Sequence, residues 1–416
     1  MSNFNFIRIG FDAICMIALF VLVPTLITKD HKNKFIAIFL SFLLFLLTDN
    51  YSWLEVYSFS AVFMNYLIPV LQIVIILRLI YMEISNHKAY RRALIMLMIV
   101  LNCFYIEHVT VYMVCASFAF LIYSAKFNKK LRGLAVQTFA SSIIGTILMF
   151  SYPLIYNADS NYRSSALSNG ISFIFENILE HSDLLIFAHF CVTFVLSGFA
   201  TVVAFFAIRR QEKKLHKLIL FFCQIIFIGG FICSFMLRYG NWKDTPLVIF
   251  VSDAFVTALT LVYLLCLGVC IVMTFTGKER VNLLCLYLSI WLISAILSVV
   301  SPIGHRCFFI TFTFIVMITI KFALYVMEQV PNLLKSLAVV GLGFVAGTYL
   351  FYIGKNYQIG HSVQMERQTI LEQAIENGDK VAYVSDSVNF TDCGGLRFLE
   401  DYYYYVTPGD LEIIFE

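Results

Sequence analysis

Twelve apolar runs separated by polar connections set the pattern of this chain. They lie at about 7–27, 35–47, 59–82, 93–106, 109–125, 134–152, 183–208, 218–236, 254–275, 281–300, 308–326 and 336–353. A helix needs about 20 mostly apolar residues to cross a bilayer, and most of these runs reach that length. The runs at 35–47 and 93–106 are shorter and predict tilted or partly re-entrant helices. The pattern therefore predicts an all-α polytopic membrane protein with about 11–12 transmembrane helices. No period of 20–50 residues repeats, which excludes a solenoid.

Past Tyr352 the pattern changes. Residues 364–378 read as an amphipathic helix ending on Gly378, with Met365, Leu371, Ala374 and Ile375 as its apolar stripe. Lys380–Ser385 and Leu411–Phe415 read as strands. The expected division is a transmembrane helical domain over 1–353 and a small external C-terminal α/β appendage over 354–416. The appendage is too small to hold a core alone and is expected to pack against the membrane domain.

Composition agrees with the pattern: 60% of the 416 residues are hydrophobic and only 13% charged, against about 25% charged in soluble domains. The eleven cysteines sit mostly inside apolar runs, where they act as small apolar groups. Cys266 and Cys270, one turn apart, suit packing better than metal binding. The first ten residues carry one basic side chain and lead straight into a span, so no cleavable signal peptide is expected.

Charge gives an orientation. Eighteen basic residues fall in alternate connections, at 29–34, 88–92, 126–132, 209–217, 278–280 and 335. The opposite connections hold five, namely Arg8, Arg163, Arg238, Lys243 and Arg306. Basic loops stay cytoplasmic, so the first set is expected inside and both termini outside.

The outer face differs in kind from the inner one. Between two apolar runs, residues 48–69 read T-D-N-Y-S-W-L-E-V-Y-S-F-S-A-V-F-M-N-Y-L-I-P, carrying Asp49, Glu55, Asn65 and Tyr66 toward the membrane. Glu107-His108 fills most of another outer turn, and Asp159, Arg163, Arg238, Asp253, His305 and Arg306 stand at further outer span ends. Polar groups at membrane depth are costly and tend to face a bundle interior or a wet cavity. Arginine presents a planar fork to phosphate oxygens, and a carboxylate can deprotonate a hydroxyl nucleophile. Taken singly, each residue also suits an interfacial cap or ion pair; the mixture on one face favours a site. His189, near mid-span, suits a hydrogen bond within the bundle. No phosphate-binding glycine loop, H-E-x-x-H or C-x-x-C occurs, so neither a metal, a cofactor nor a nucleic-acid partner is expected. Gly341, Gly343 and Gly347 suit helix packing.

F-M-N-Y-L-I-P (63–69), I-E-H (106–108), N-A-D-S-N-Y-R (157–163) and S-P-I-G-H-R-C-F-F (301–309) resemble a bacterial multispan family of unknown function. Its members are similar to O-antigen glucosyltransferases and other membrane transferases of the GT-C class. The resemblance covers about residues 35 to 325. It implies a protein of the bacterial plasma membrane, with an extracytoplasmic tail, that assembles cell-surface polysaccharide. Its partners would be membrane lipids, a polyprenyl-phosphate-linked sugar as donor and a glycan acceptor. Glu107, then Asp49 and Glu55, would supply the carboxylate that acts as catalytic base. Asn65, Tyr66, His108, Arg163, Arg238, His305 and Arg306 would bind substrate. Ile106 stands where relatives carry Asn, and Ile68 where an aromatic is usual. The acidic pair of the first outer loop has no counterpart before Phe11, so the chain is expected to be shortened at its amino end relative to the family and to be active, repurposed or inactive accordingly. A lipid-linked-sugar transporter or flippase, and a polysaccharide polymerase or ligase, are the alternative readings.

Overall fold

The computed structural model describes residues 2–28, 30–48, 56, 63–151, 164–165, 170–186, 190–239, 253–301, 303–384 and 412–415. Thirteen α-helices occur among them: α1 Ser2–Ile27, α2 His31–Leu46, α3 Ile68–Ser85, α4 Ala89–Asn102, α5 Glu107–Phe127, α6 Arg132–Phe150, α7 Ile171–His181, α8 Phe190–Arg210, α9 Lys214–Tyr239, α10 Asp253–Thr274, α11 Gly277–Leu297, α12 Phe309–Gln329 and α13 Asn332–Asn377. Nine candidate spans, long and apolar enough to cross a membrane, lie among the described residues. The other expected runs fall on α2, α4 and α13. At 1.5 Å per residue, the 16 residues of α2 and 14 of α4 reach only about 24 and 21 Å, short of a hydrocarbon core of about 30 Å. The chain is thus an all-α, multi-pass membrane protein.

Short connections join α1 to α2, α3 to α4, α5 to α6, α8 to α9, α10 to α11 and α12 to α13. The first five of these pairs pack side by side as antiparallel neighbours, and the basic residues of the sequence gather at these turns, at one end of the bundle. We call this the basic end. One turn is knotted by a buried acid. The Glu83 carboxylate accepts from Arg92 Nε (2.7 Å) and the Lys88 backbone N–H (2.9 Å), and meets His87 Nδ1 at 3.1 Å. Arg91 lies 3.7 Å from it and donates to the Met82 and Asn86 carbonyls.

At the centre stands α12, buried almost throughout its length. Its sequence is apolar on every side, as a helix enclosed by others requires. Two of its threonines return their hydroxyls to the helix: Thr313 donates to the Phe309 carbonyl and Thr319 to that of Ile315. Phe309 and Phe312 pack with Phe45 of α2, which meets Phe20 of α1. Toward the basic end, Phe322 stacks on Phe275 at 5.6 Å. In lipid, close van der Waals packing replaces the hydrophobic drive, and glycine lets helices approach. A methyl on Gly145 of α6 would come within 2.8 Å of the Cys103 Cβ, so that contact admits only glycine.

Helix α13 runs unbroken through residues 353 and 354 and ends on Gly378, whose φ of +71° suits glycine. Leu371 and Ala374 of the expected stripe are buried, whereas Ile375 is exposed. Met365 is not among the described side chains. The buried line is Arg367–Leu371–Ala374, spaced i, i+4, i+7. The two expected strands are present as β3 Val381–Val384 and β4 Glu412–Phe415, which pair in parallel with Val381 opposite Glu412. Earlier, β1 Ser164–Ser165 pairs antiparallel with β2 Val300–Ser301.

Candidate functional site

The chain enters α3 through a π-helical turn at Phe63–Leu67. Pro69 has no N–H to offer the carbonyl four residues back, that of Asn65, so the tighter α register lacks a donor there. π-turns are rare and often occur at functional sites. This one presents Tyr66, half-buried, toward two other segments. The Tyr66 hydroxyl lies 3.7 Å from Cys307 Sγ, and its side chain also interacts with the Arg306 guanidinium. The Tyr66 ring lies 6.1 Å from the His108 ring at 32°.

His108 and Glu107 open α5, after an extended Ile106. Acidic Glu107 in the first turn suits the helix dipole, and it acts electrostatically on His108. His108 is buried, and its Nε2 has no hydrogen-bond partner among the described residues. Arg306 and Cys307 belong to a short 3-10 turn, His305–Phe308, that starts α12. Three segments far apart in sequence therefore meet at the end of the bundle opposite the basic turns.

A polar network supports this junction. Asn102 Nδ2 donates to the Pro69 carbonyl (2.9 Å) and to Gln72 Oε1 (3.1 Å), and Gln72 Nε2 donates to the Tyr105 hydroxyl (3.0 Å). It ties the first turn of α3 to the end of α4, fixing the frame in which Tyr66 sits. Thr110 Oγ1 donates to the Cys103 carbonyl, closing the turn before α5.

The remaining expected residues divide. Asn65 is exposed, beside Tyr66 in the π-turn. Arg238 lies in the last turn of α9, and His305 opens the 3-10 turn. Asp49, Glu55, Arg163 and His189 lie outside the described residues. The residue after Arg163, Ser164, pairs with Ser301, five positions before Arg306. Tyr66, Glu107, His108 and Arg306 are thus gathered.

Sequence reasoning missed Gln72, Asn102, Tyr105 and Cys307, each inside or beside an apolar run. It also missed α7, whose apolar positions Ile171, Phe175 and Leu179 recur at i, i+4, i+8 and are exposed, a legible amphipathic signal. The opposite side of α7 borders a cavity of about 210 Å³ lined by Asn177, His181, Trp291, Ser294, Ile303 and Phe308 among others. Asn177 Nδ2 donates to the Ser298 carbonyl at 3.0 Å, fastening α7 to the end of α11. Ile303 and Phe308 flank Arg306, so one short segment faces both the cavity and the Tyr66 junction. No group of three or more possible metal ligands occurs among the described residues.

The fold defines a polytopic helical membrane protein whose lateral surface meets lipid. Compared with family models, curated proteins and solved structures, the chain has no match.

Proposed function

We propose that this protein is a glycosyltransferase-like enzyme of the GT-C kind, transferring a sugar from a polyprenyl phosphate to a glycan acceptor at the outer face of a bacterial plasma membrane. One observation carries the reading: Tyr66, Glu107, His108 and Arg306, from three distant segments, gather at the end of the bundle opposite the basic turns. Basic loops stay cytoplasmic, which puts the junction, both termini and the tail beyond 354 outside.

In this reading the acceptor hydroxyl attacks the anomeric carbon and the carbon–oxygen bond to phosphate breaks, with inversion. Glu107 takes the hydroxyl proton; Asp49 and Glu55 are the other acids able to do so. Arg306 holds the departing phosphate, Arg163 is the second arginine assigned to it, and Tyr66 aligns the Arg306 fork. Asn65, Arg238 and His305 complete the substrate contacts. Arginine suits the task because its planar donors match phosphate oxygens.

The test uses the whole chain reconstituted in vesicles with a polyprenyl-phosphate sugar and an oligosaccharide acceptor. Transfer that depends on Glu107 and Arg306 supports the reading. Movement of the lipid-linked sugar between leaflets with no transfer would replace it by the transporter reading. Arg306→Ala is expected to weaken polyprenyl-phosphate binding by about 1.5–3 kcal/mol, one charged hydrogen bond; unchanged binding would leave Arg306 an interfacial anchor.

A further inference from the structure

A second cavity, of about 300 Å³, lies at the basic end between α1, α3, α11 and α12. Its walls are apolar, with Leu77, Ile84 and Leu286 among them, and its polar residues include Glu279, Asn282 and Lys321. All four helices carry segments apolar and long enough to span a membrane. Leu77 and Ile84 are themselves exposed on the flank of the bundle. The space has room for about ten groups of water or methylene size, a stretch of one acyl chain. An apolar chain is stabilised by burial against such walls.

The polar residues narrow the occupant. Lys321 Nζ lies 2.6 Å from Glu279 Oε1, so one cation and one anion stand side by side at the cavity. They differ in depth: the Lys321 side chain is 16% exposed and that of Glu279 58%. We propose that this cavity holds one aminophospholipid of the bilayer, its acyl chain along Leu77 and Leu286, its phosphate at Lys321 and its primary ammonium at Glu279. The order matches the lipid, whose phosphate lies nearer the acyl chains than its amine. Lysine has three donors, two of them left for phosphate after the ion pair, and a primary ammonium can donate to carboxylate. A purely anionic headgroup would bring like charge to Glu279. A quaternary ammonium has no N–H to give it.

The whole chain, purified in mild detergent, is titrated by native mass spectrometry with phosphatidylethanolamine, phosphatidylglycerol and phosphatidylcholine of identical chains. Phosphatidylethanolamine is expected to bind one per chain and at least about tenfold more tightly than either other lipid, the equivalent of one charged hydrogen bond. Glu279→Gln should erase that preference without lowering phosphatidylglycerol binding, and Lys321→Gln should lower binding of all three. Should Lys321→Gln fail to fold, Leu286→Trp fills the cavity while leaving both charges and should release the lipid. Tightest binding of phosphatidylglycerol would overturn the proposal, as would phosphatidylethanolamine binding indifferent to Glu279→Gln and Leu286→Trp.

Discussion

Tyr66 is the residue on which the junction turns. Its ring lies beside His108 and its hydroxyl beside Cys307. Cys307 is buried, so Tyr66→Ala should uncover its thiol and raise its alkylation by a small maleimide, measured peptide by peptide, while Tyr66→Phe leaves labelling nearly unchanged. Equal labelling in all three proteins would deny Tyr66 this covering role. For Glu107, loss of a general base costs about 10²–10⁴-fold in rate. Glu107→Gln is therefore expected to cut transfer by that factor while binding the polyprenyl phosphate as before. Little of this was legible residue by residue. Cys307 reads as one more small apolar side chain, and the meeting of positions 66 and 307 spans 241 residues, a separation no periodicity encodes. Glu107, His108 and Arg306 stood out because charge at a span end is expensive.

Among the elements, the π-turn at Phe63–Leu67 owes its width to Pro69. With Pro69→Ala the missing N–H returns and the α register becomes available to Asn65. Slipping by one residue turns a helix by about 100°, which would carry Tyr66 away from Cys307. Cys307 labelling should then rise as in Tyr66→Ala although the ring is present. A second element-level contact is that of α4 with α6 at Gly145, where a side chain meets Cys103 Cβ at 2.8 Å and the Val100 carbonyl at 3.2 Å. Overpacking a well-filled contact typically costs about 1–3 kcal/mol. Gly145→Val should lower the thermal midpoint in detergent, whereas Gly133→Val, at a site open to 4 Å, should change it far less. The spanning helices were legible because a bilayer forces their backbones to bond internally and their side chains to be apolar. Helix α7 escaped because its 11 residues fall short of a span. Its Ile171, Phe175 and Leu179 face outward, as in a helix lying along a membrane surface.

For the whole molecule, orientation is the exposed expectation. A cysteine placed at Lys213 should stay silent to an impermeant thiol reagent in intact cells, and one at Asp379 should react; the reverse pattern would invert the proposed topology and with it the side on which the transferase reading places its site. The bundle as a set of crossings was readable from apolar runs, and the enclosure of α12 less so. Its apolar faces look like those of its neighbours, since lipid and protein interiors are equally apolar.

That central position has a consequence for how the molecule is made. Helix α12 begins at Phe309, after eleven other helices among the described residues have been synthesised. At about 5–20 residues per second, the earliest of them wait about ten seconds or more around a slot their eventual core has not reached. Lipid must occupy the slot and then leave. Losing the chain from Phe309 onward would remove the axle and not a rim, so a nascent chain stalled just short of it is the form most exposed to membrane proteolysis.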